Sequence, residues 1–223
     1  MPARSEPVAR ILREAVEAHA FPAACIEVGG RDAARWNAAF GALTFDPYAP
    51  AATPDTIFDL ASLTKVIATT TLAMRASDAD RIALNDPLAR WLPHWRGADR
   101  DRVTIRHLLT HSAGLTAYLP FYRDLTGRPE FEHAICRLPL EYAPDSQSIY
   151  SDLGFILLAF ILEDAASAAN RLSVAPGAFD PSSSFAEQFH RVASFLCPDP
   201  LTFNPPRSWR RDCAPTEPIA RRA

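Results

Sequence analysis

The residues of this chain with the clearest chemical potential are a serine and a lysine three positions apart, Ser62 and Lys65. Two side chains at this spacing on a helix lie on the same face, one turn apart. A serine hydroxyl becomes a nucleophile when a neighbouring base takes its proton, and a lysine can be that base if its neutral form is accessible. The pair therefore predicts nucleophilic catalysis. The alternative is a helix-start serine and a solvated lysine that share this spacing by chance.

The basic residues of the chain favour the catalytic interpretation. The 23 lysines and arginines include one lysine, Lys65. Arginine carries a permanent charge and cannot lose its proton in a protein, so it serves only where a cation is needed. The one basic side chain that could act as a proton acceptor therefore stands beside the serine.

Two further residues are candidates for the same site. Val103 to Leu115 is predicted to contain a short helix, and His111 near its end is either catalytic or, the favoured interpretation, a histidine that fixes a loop beside the site by hydrogen bonds. Tyr150 stands at a predicted loop–helix junction. A lysine ammonium close to its phenol would lower the pKa of Tyr150 towards that of a general base. Otherwise it is an ordinary half-buried aromatic residue.

The elements that must position these residues follow from the apolar pattern. Ser5 to His19 predicts an amphipathic helix, and Ala24 to Val28 and Trp36 to Phe45 predict two strands of a hairpin. Ser62 to Ala76 predicts a helix whose first N–H groups point towards the nucleophile. Glu187 to Leu196 predicts a short helix near the C-terminus. A helix followed by a hairpin indicates an antiparallel sheet covered on one face.

Composition limits the other function classes. The net charge is −3, which gives no nucleic-acid footprint. The longest apolar run, Leu153 to Leu162, is about half of a membrane span, and the N-terminus lacks an apolar signal core, so we expect a cytoplasmic protein. No C-x-x-C pair is present, and we expect neither a metal site nor a cofactor. The four cysteines are predicted to be free thiols: Cys25, Cys136, Cys197 and Cys213.

Three ordered motifs give the chain a family resemblance. They are Ser62-Leu63-Thr64-Lys65, the segment Leu-Leu-Thr-His-Ser-Ala-Gly-Leu that ends at Leu115, and Tyr150-Ser151-Asp152. With them the chain resembles the β-lactamase-related serine hydrolases, which include class C β-lactamases, D-alanyl-D-alanine carboxypeptidases and β-lactamase-like esterases. The resemblance runs from about Phe21 to about Leu162. The first two motifs are closer to the esterase-like and carboxypeptidase-like members.

The resemblance implies a mechanism and a substrate class. Ser62 would attack the carbonyl of a small ester or D-alanyl peptide and form an acyl-enzyme, while Lys65 and Tyr150 shuttle the proton. The backbone N–H of Ser62 would be one donor of the oxyanion hole. Asp152 stands where many relatives carry asparagine, and we place Asp152 and His111 at the substrate-binding surface. The loss of the amide donor puts β-lactam recognition in doubt more than ester hydrolysis.

The resemblance also implies a fold. This is an α+β fold of the β-lactamase and transpeptidase type, an antiparallel sheet flanked by helices plus a helical region. The family's third motif, Lys-Thr-Gly or His-x-Gly on a strand that lines the site, has no counterpart here, since the only glycine after Gly154 is Gly177. We therefore expect an incomplete domain at 1–172 whose C-terminal strands are missing. An irregular Pro/Ser-rich segment at 173–223 would follow, from a truncated, frameshifted or degenerate family member.

Two consequences of this expectation bear on function. An incomplete sheet exposes strand edges, through which the chain could self-associate. A chain without the third motif could also be a catalytically incompetent fragment or a non-catalytic binding protein, which is the alternative to a serine hydrolase.

Overall fold

The computed structural model describes residues 5–169, 184–197 and 201–215. They form two units: one contains the described residues up to Ala61 together with those from Asn204 onward, and the other runs from Ser62 to Phe203. Of the predicted irregular segment at 173–223, residues 173–183 (including Gly177), 198–200 and 216–223 lie outside the described residues. All the candidate site residues belong to the second unit.

The first unit contains a helix and a hairpin, as predicted from the sequence. Helix α1 spans Glu6–Glu17, and strands β1 (Ala23–Gly29) and β2 (Ala34–Gly41) pair antiparallel. The second strand ends earlier than predicted because Gly41 takes φ +78°, where a Cβ atom would collide with the Pro22 carbonyl oxygen. The chain therefore turns there instead of continuing to Phe45.

A second short pairing also lies in this unit. Strand β3 (Ile57–Phe58) pairs parallel with β4 (Cys213–Ala214), so within the described residues the strands form two two-stranded sheets. Helices with a small antiparallel sheet make the fold mixed α+β, as predicted.

The second unit is helical. Its α-helices are α2 (Thr71–Asp78), α3 (Ile105–Leu109), α4 (Gly127–Arg137), α5 (Asp152–Ala169) and α6 (Phe185–Leu196). Short 3₁₀ turns at Leu88–Arg90 and Phe121–Arg123 connect them. The predicted helix near the C-terminus is confirmed as α6, which Ser184 caps through a hydrogen bond from the Glu187 N–H.

Helix α5 lies at the centre of this unit because it is apolar on most of its faces. Leu157, Leu158 and Ile161 are completely buried and belong to one apolar cluster with Leu72 of α2 and Leu108 of α3. Such burial makes α5 a rigid support for the residues at its N-terminus. Within the described ranges, no helix combines the length and apolar character needed to cross a membrane.

The helix predicted from Ser62 to Ala76 differs from the prediction in its first turns. Ser62 lies in a turn, Lys65–Thr70 forms a π-helix, and regular α-helix begins only with α2. The Thr70 hydroxyl donates to the Lys65 carbonyl at 2.9 Å, five residues back along the chain. A π-helix is rare and occurs often at functional sites. Here it contains the only lysine of the chain.

Candidate active site

The serine and lysine of the first motif lie side by side. The Lys65 N–H donates to the Ser62 carbonyl at 3.1 Å and closes the turn that precedes the π-helix. The Lys65 Nζ donates to the Ser62 Oγ at 3.2 Å. The expectation that this spacing places both side chains on one face is confirmed.

The N-terminal end of α5 brings the third motif to the same place. The Lys65 Nζ lies 2.7 Å from the Asp152 Oδ1 and 4.9 Å from the centroid of the Tyr150 ring. Two hydrogen bonds hold this end of α5: the Asp152 N–H donates to the Ala117 carbonyl at 2.9 Å, and the Ser151 hydroxyl donates to the Thr116 carbonyl at 2.7 Å. The buried helix therefore presents Tyr150 and Asp152 to the lysine.

The ammonium group of Lys65 lies between two oxygen acceptors and an aromatic ring. It donates to the Ser62 hydroxyl at 3.2 Å, pairs with the Asp152 carboxylate and lies 4.9 Å from the centroid of the Tyr150 ring. Burial lowers the pKa of Lys65, but the hydrogen bonds and negative charges of Asp152 and Tyr150 outweigh it, and the pKa lies above its ordinary value. The site therefore favours the charged form of Lys65.

The pKa of the Tyr150 phenol is shifted in the opposite direction to that of Lys65. Hydrogen bonds from Lys65 and then from Ser62 hold the pKa of Tyr150 below its ordinary value, with the Lys65 charge acting in the same direction. Tyr150 is 51% exposed, so a substrate can reach it. The arrangement places the Tyr150 phenol next to a cation that stabilises its phenolate form.

His111 lies behind Tyr150. Its ring centroid is 4.5 Å from that of Tyr150 and 5.0 Å from that of Phe155 on α5. Burial and then the Lys65 charge lower the pKa of His111, which favours the neutral ring. Its Nδ1 accepts a hydrogen bond from the Ser151 N–H at 3.0 Å. Of the two interpretations of this histidine, these contacts favour the one in which it fixes the loop beside the site.

Some residues of the site were not singled out from the sequence. Phe155 stands three residues after Asp152 on α5 and lies 5.9 Å from the Lys65 Nζ, a position that helical spacing could have indicated. Thr70 and Tyr142 could not have been found in this way. Thr70 acts through the π-helix, and the Tyr142 hydroxyl donates to the His111 carbonyl at 3.0 Å across a long loop connection.

Comparison with known proteins gives this geometry a context. A family model described as Beta-lactamase matches residues 8–173. A curated protein of Salmonella agona strain SL483, named as a D-alanyl-D-alanine carboxypeptidase, is 30% identical over 125 residues. That match covers 50% of this chain and 29% of the relative, so the chain spans less than a third of the length of the curated relatives it matches.

Solved structures show the same fold. The crystal structure of a class C β-lactamase from Rhodobacter sphaeroides is 23% identical with a TM-score of 0.66, covering 84% of this chain and 48% of that one. The structure of EstCE1, a hydrolase with promiscuous acyltransferase activity, is 24% identical with a TM-score of 0.68, covering 86% of this chain and 51% of that one. At these identities the likeness concerns the fold alone, and in both cases about half of the solved chain has a counterpart here.

Proposed function

Because this chain belongs to the β-lactamase family, we propose that it is a serine hydrolase that acts on small esters or D-alanyl peptides through an acyl-enzyme on Ser62. The observation that supports this most directly is the environment of Lys65. Its ammonium group contacts the Ser62 hydroxyl and the Asp152 carboxylate and lies 4.9 Å from the centroid of the Tyr150 ring. A solvated surface lysine would be exposed to water, whereas the Lys65 side chain is only 16% exposed.

In this proposal the proton acceptor is Tyr150, and Lys65 remains charged. The Ser62 Oγ attacks the substrate carbonyl carbon and its proton passes to the Tyr150 oxygen, while the carbonyl oxygen becomes an oxyanion. When the tetrahedral intermediate collapses, Tyr150 returns the proton to the leaving alkoxide or amine. The Lys65 ammonium stabilises the phenolate form of Tyr150 before the attack.

Deacylation follows the same route with water as the nucleophile. Tyr150 takes a proton from the attacking water, and the second tetrahedral intermediate releases the acid and restores the Ser62 hydroxyl when Tyr150 returns the proton to its Oγ. The backbone N–H of Ser62 would donate to the oxyanion in both steps, and one such donor is worth about 3 kcal/mol when well placed.

Asp152 bears on the substrate class. A carboxylate accepts hydrogen bonds but cannot donate them, so it can meet a substrate N–H but repels a carbonyl oxygen. One of its oxygens is engaged by Lys65 and its side chain is 39% exposed, which leaves the carboxylate accessible. Small esters, and peptides that present an N–H at this position, fit better than a β-lactam whose acylamino carbonyl needs a donor. The name of the matched relative, a D-alanyl-D-alanine carboxypeptidase, also supports D-alanyl peptides as candidate substrates.

The test is the intact mass of the chain after incubation with p-nitrophenyl acetate and, separately, with a fluorescent penicillin. We expect an acetyl adduct on the wild-type chain that is absent from Ser62→Ala, and little or no penicillin adduct. Circular dichroism of both proteins would establish that they are folded. An unlabelled but folded wild-type chain would overturn the proposed function, and penicillin labelling without acetylation would overturn the substrate class.

A further inference from the structure

The residues on either side of Tyr150, Ile149 and Ser151, are both hydrogen-bonded to His111. The Ile149 N–H donates to the His111 carbonyl, and the Ser151 N–H donates to the His111 Nδ1, each at 3.0 Å. Tyr150 is 51% exposed. Core packing therefore does little to fix the phenol, and these two backbone contacts fix the peptide units from which it projects.

The backbone of His111 is itself held in an uncommon conformation. Its φ is +56°, in the left-handed region, which is uncommon for residues other than glycine, although asparagine, aspartate and histidine adopt it more often than the rest. Its carbonyl also accepts from the hydroxyl of the buried Tyr142 at 3.0 Å, and that hydroxyl accepts from the Ile149 N–H at 3.3 Å. The conformation turns both the carbonyl and the ring of His111 towards the segment that carries Tyr150.

The side-chain hydrogen bond requires a particular form of the ring. A Nδ1 that accepts from the Ser151 N–H carries no proton, so the neutral ring has its proton on Nε2. The charged groups that face the ring are Lys65 and Asp152, and its other neighbours are the rings of Tyr150 and Phe155. Burial and the Lys65 charge both lower the pKa of His111, which keeps Nδ1 available as an acceptor.

We propose that His111 is the positioning residue for Tyr150, holding the phenol against Lys65 and Ser62 by accepting the hydrogen bonds of the two flanking residues. The expected effect on acylation rests on the proposed function, whereas the expected effect on the position and pKa of Tyr150 does not. His111 then contacts the base rather than the substrate, and its effect on catalysis passes through the position and pKa of Tyr150.

The test compares His111→Gly with His111→Asn. Both residues tolerate the left-handed conformation, but only asparagine offers an oxygen near the position of Nδ1. In His111→Gly we expect the pKa of Tyr150, followed by carbon-13 NMR of labelled tyrosine and assigned with Tyr150→Phe, to rise towards its ordinary value. We also expect Ser62 acylation by p-nitrophenyl acetate to slow roughly tenfold or more. In His111→Asn the Tyr150 pKa and the acylation rate should both return most of the way to their wild-type values.

A histidine at the same backbone angle provides the matched control. His19 has φ +56° and contacts Glu17 and Phe45, so His19→Gly should change neither the pKa of Tyr150 nor the acylation rate. A His111→Gly protein with an unchanged Tyr150 pKa would overturn the proposal, as would a His111→Asn protein with the full defect. If His111→Gly does not fold, Tyr142→Phe removes the hydroxyl that holds the His111 carbonyl and should raise the Tyr150 pKa in part. An unchanged pKa there would also overturn it.

The NMR measurement needs no substrate, so the two proposals fail separately. A wild-type chain that is never acylated but whose Tyr150 pKa depends on His111 would contradict the hydrolase function and support the positioning role. A chain that is acylated at the same rate with and without the His111 side chain would support the hydrolase function and contradict the positioning role.

Discussion

The Lys65 ammonium and the Asp152 carboxylate form an ion pair with a distance of 2.7 Å between Nζ and Oδ1. The lysine side chain is only 16% exposed, so burial by itself would favour its neutral form. The carboxylate reverses that preference and contributes to the raised pKa of Lys65. A lysine held as a cation is a poor base, which is why we assign proton transfer to Tyr150.

The first prediction concerns this pair. In Asp152→Asn the charge that keeps Lys65 protonated is lost while burial remains, so the pKa of Lys65 should fall. The chain has a single lysine, so labelling with lysine enriched in carbon-13 gives one side-chain signal whose titration can be followed directly by NMR.

Asp101→Asn is the matched control for this experiment. Asp101 is an exposed carboxylate outside the contacts of Lys65, so the lysine signal should titrate as in the wild type. A Lys65 pKa that is unchanged in Asp152→Asn would contradict the electrostatic role of the ion pair. In Asp152→Asn the new side-chain amide also supplies a hydrogen-bond donor, so we expect that variant to be labelled more by the fluorescent penicillin than the wild type is.

The second prediction concerns the base. Tyr150→Phe retains the ring beside Lys65 but removes the oxygen that takes the Ser62 proton, so acylation by p-nitrophenyl acetate should slow by about 10²- to 10⁴-fold. The rate is measured from the release of p-nitrophenol under single-turnover conditions. Tyr122→Phe, which removes another exposed phenol, should leave the rate unchanged. Equal rates for Tyr150→Phe and the wild type would return the role of base to Lys65.

The third prediction is the pH dependence of acylation. The active form in our proposal has Tyr150 deprotonated and Lys65 protonated. As the pH rises, the rate should therefore increase through the pKa of Tyr150, which lies below its ordinary value, and decrease through the pKa of Lys65, which lies above its ordinary value. The two directions of shift widen the plateau between the limbs. A rate that increases through the pKa of Lys65 would show that the neutral amine is the active form.

The sequence was informative where the relevant contacts are local. The spacing of Ser62 and Lys65 predicts a shared face because both belong to one short segment, and the structure confirms the contact at 3.2 Å. The hairpin and the junction at Tyr150 also follow from local patterns of apolar residues and turns. These predictions depend on residues a few positions apart, for which backbone geometry alone sets the distances.

Contacts between distant segments could not be predicted in the same way. Nothing local to Lys65 indicates that its charge is balanced by Asp152, and nothing local to Tyr150 indicates that His111 holds its neighbours. Both contacts depend on how α5 packs in the core. The π-helix escaped prediction for another reason: hydrogen bonds to the fifth residue back leave the same sequence pattern as a regular helix over so short a length.

The last prediction concerns that π-helix. The half-buried Thr70 hydroxyl donates to the Lys65 carbonyl at 2.9 Å, whereas the Thr71 hydroxyl reaches the Val66 carbonyl at 3.4 Å. Thr70→Val keeps the size and branching of the side chain but loses the shorter bond, which should lower the free energy of unfolding by about 1 kcal/mol and slow acylation several-fold. Thr71→Val should have the smaller effect on both. The free energy comes from urea unfolding and the rate from single-turnover acylation. If Thr70→Val matches the wild type in both, backbone hydrogen bonds and packing alone hold the π-helix, and with it the position of Lys65.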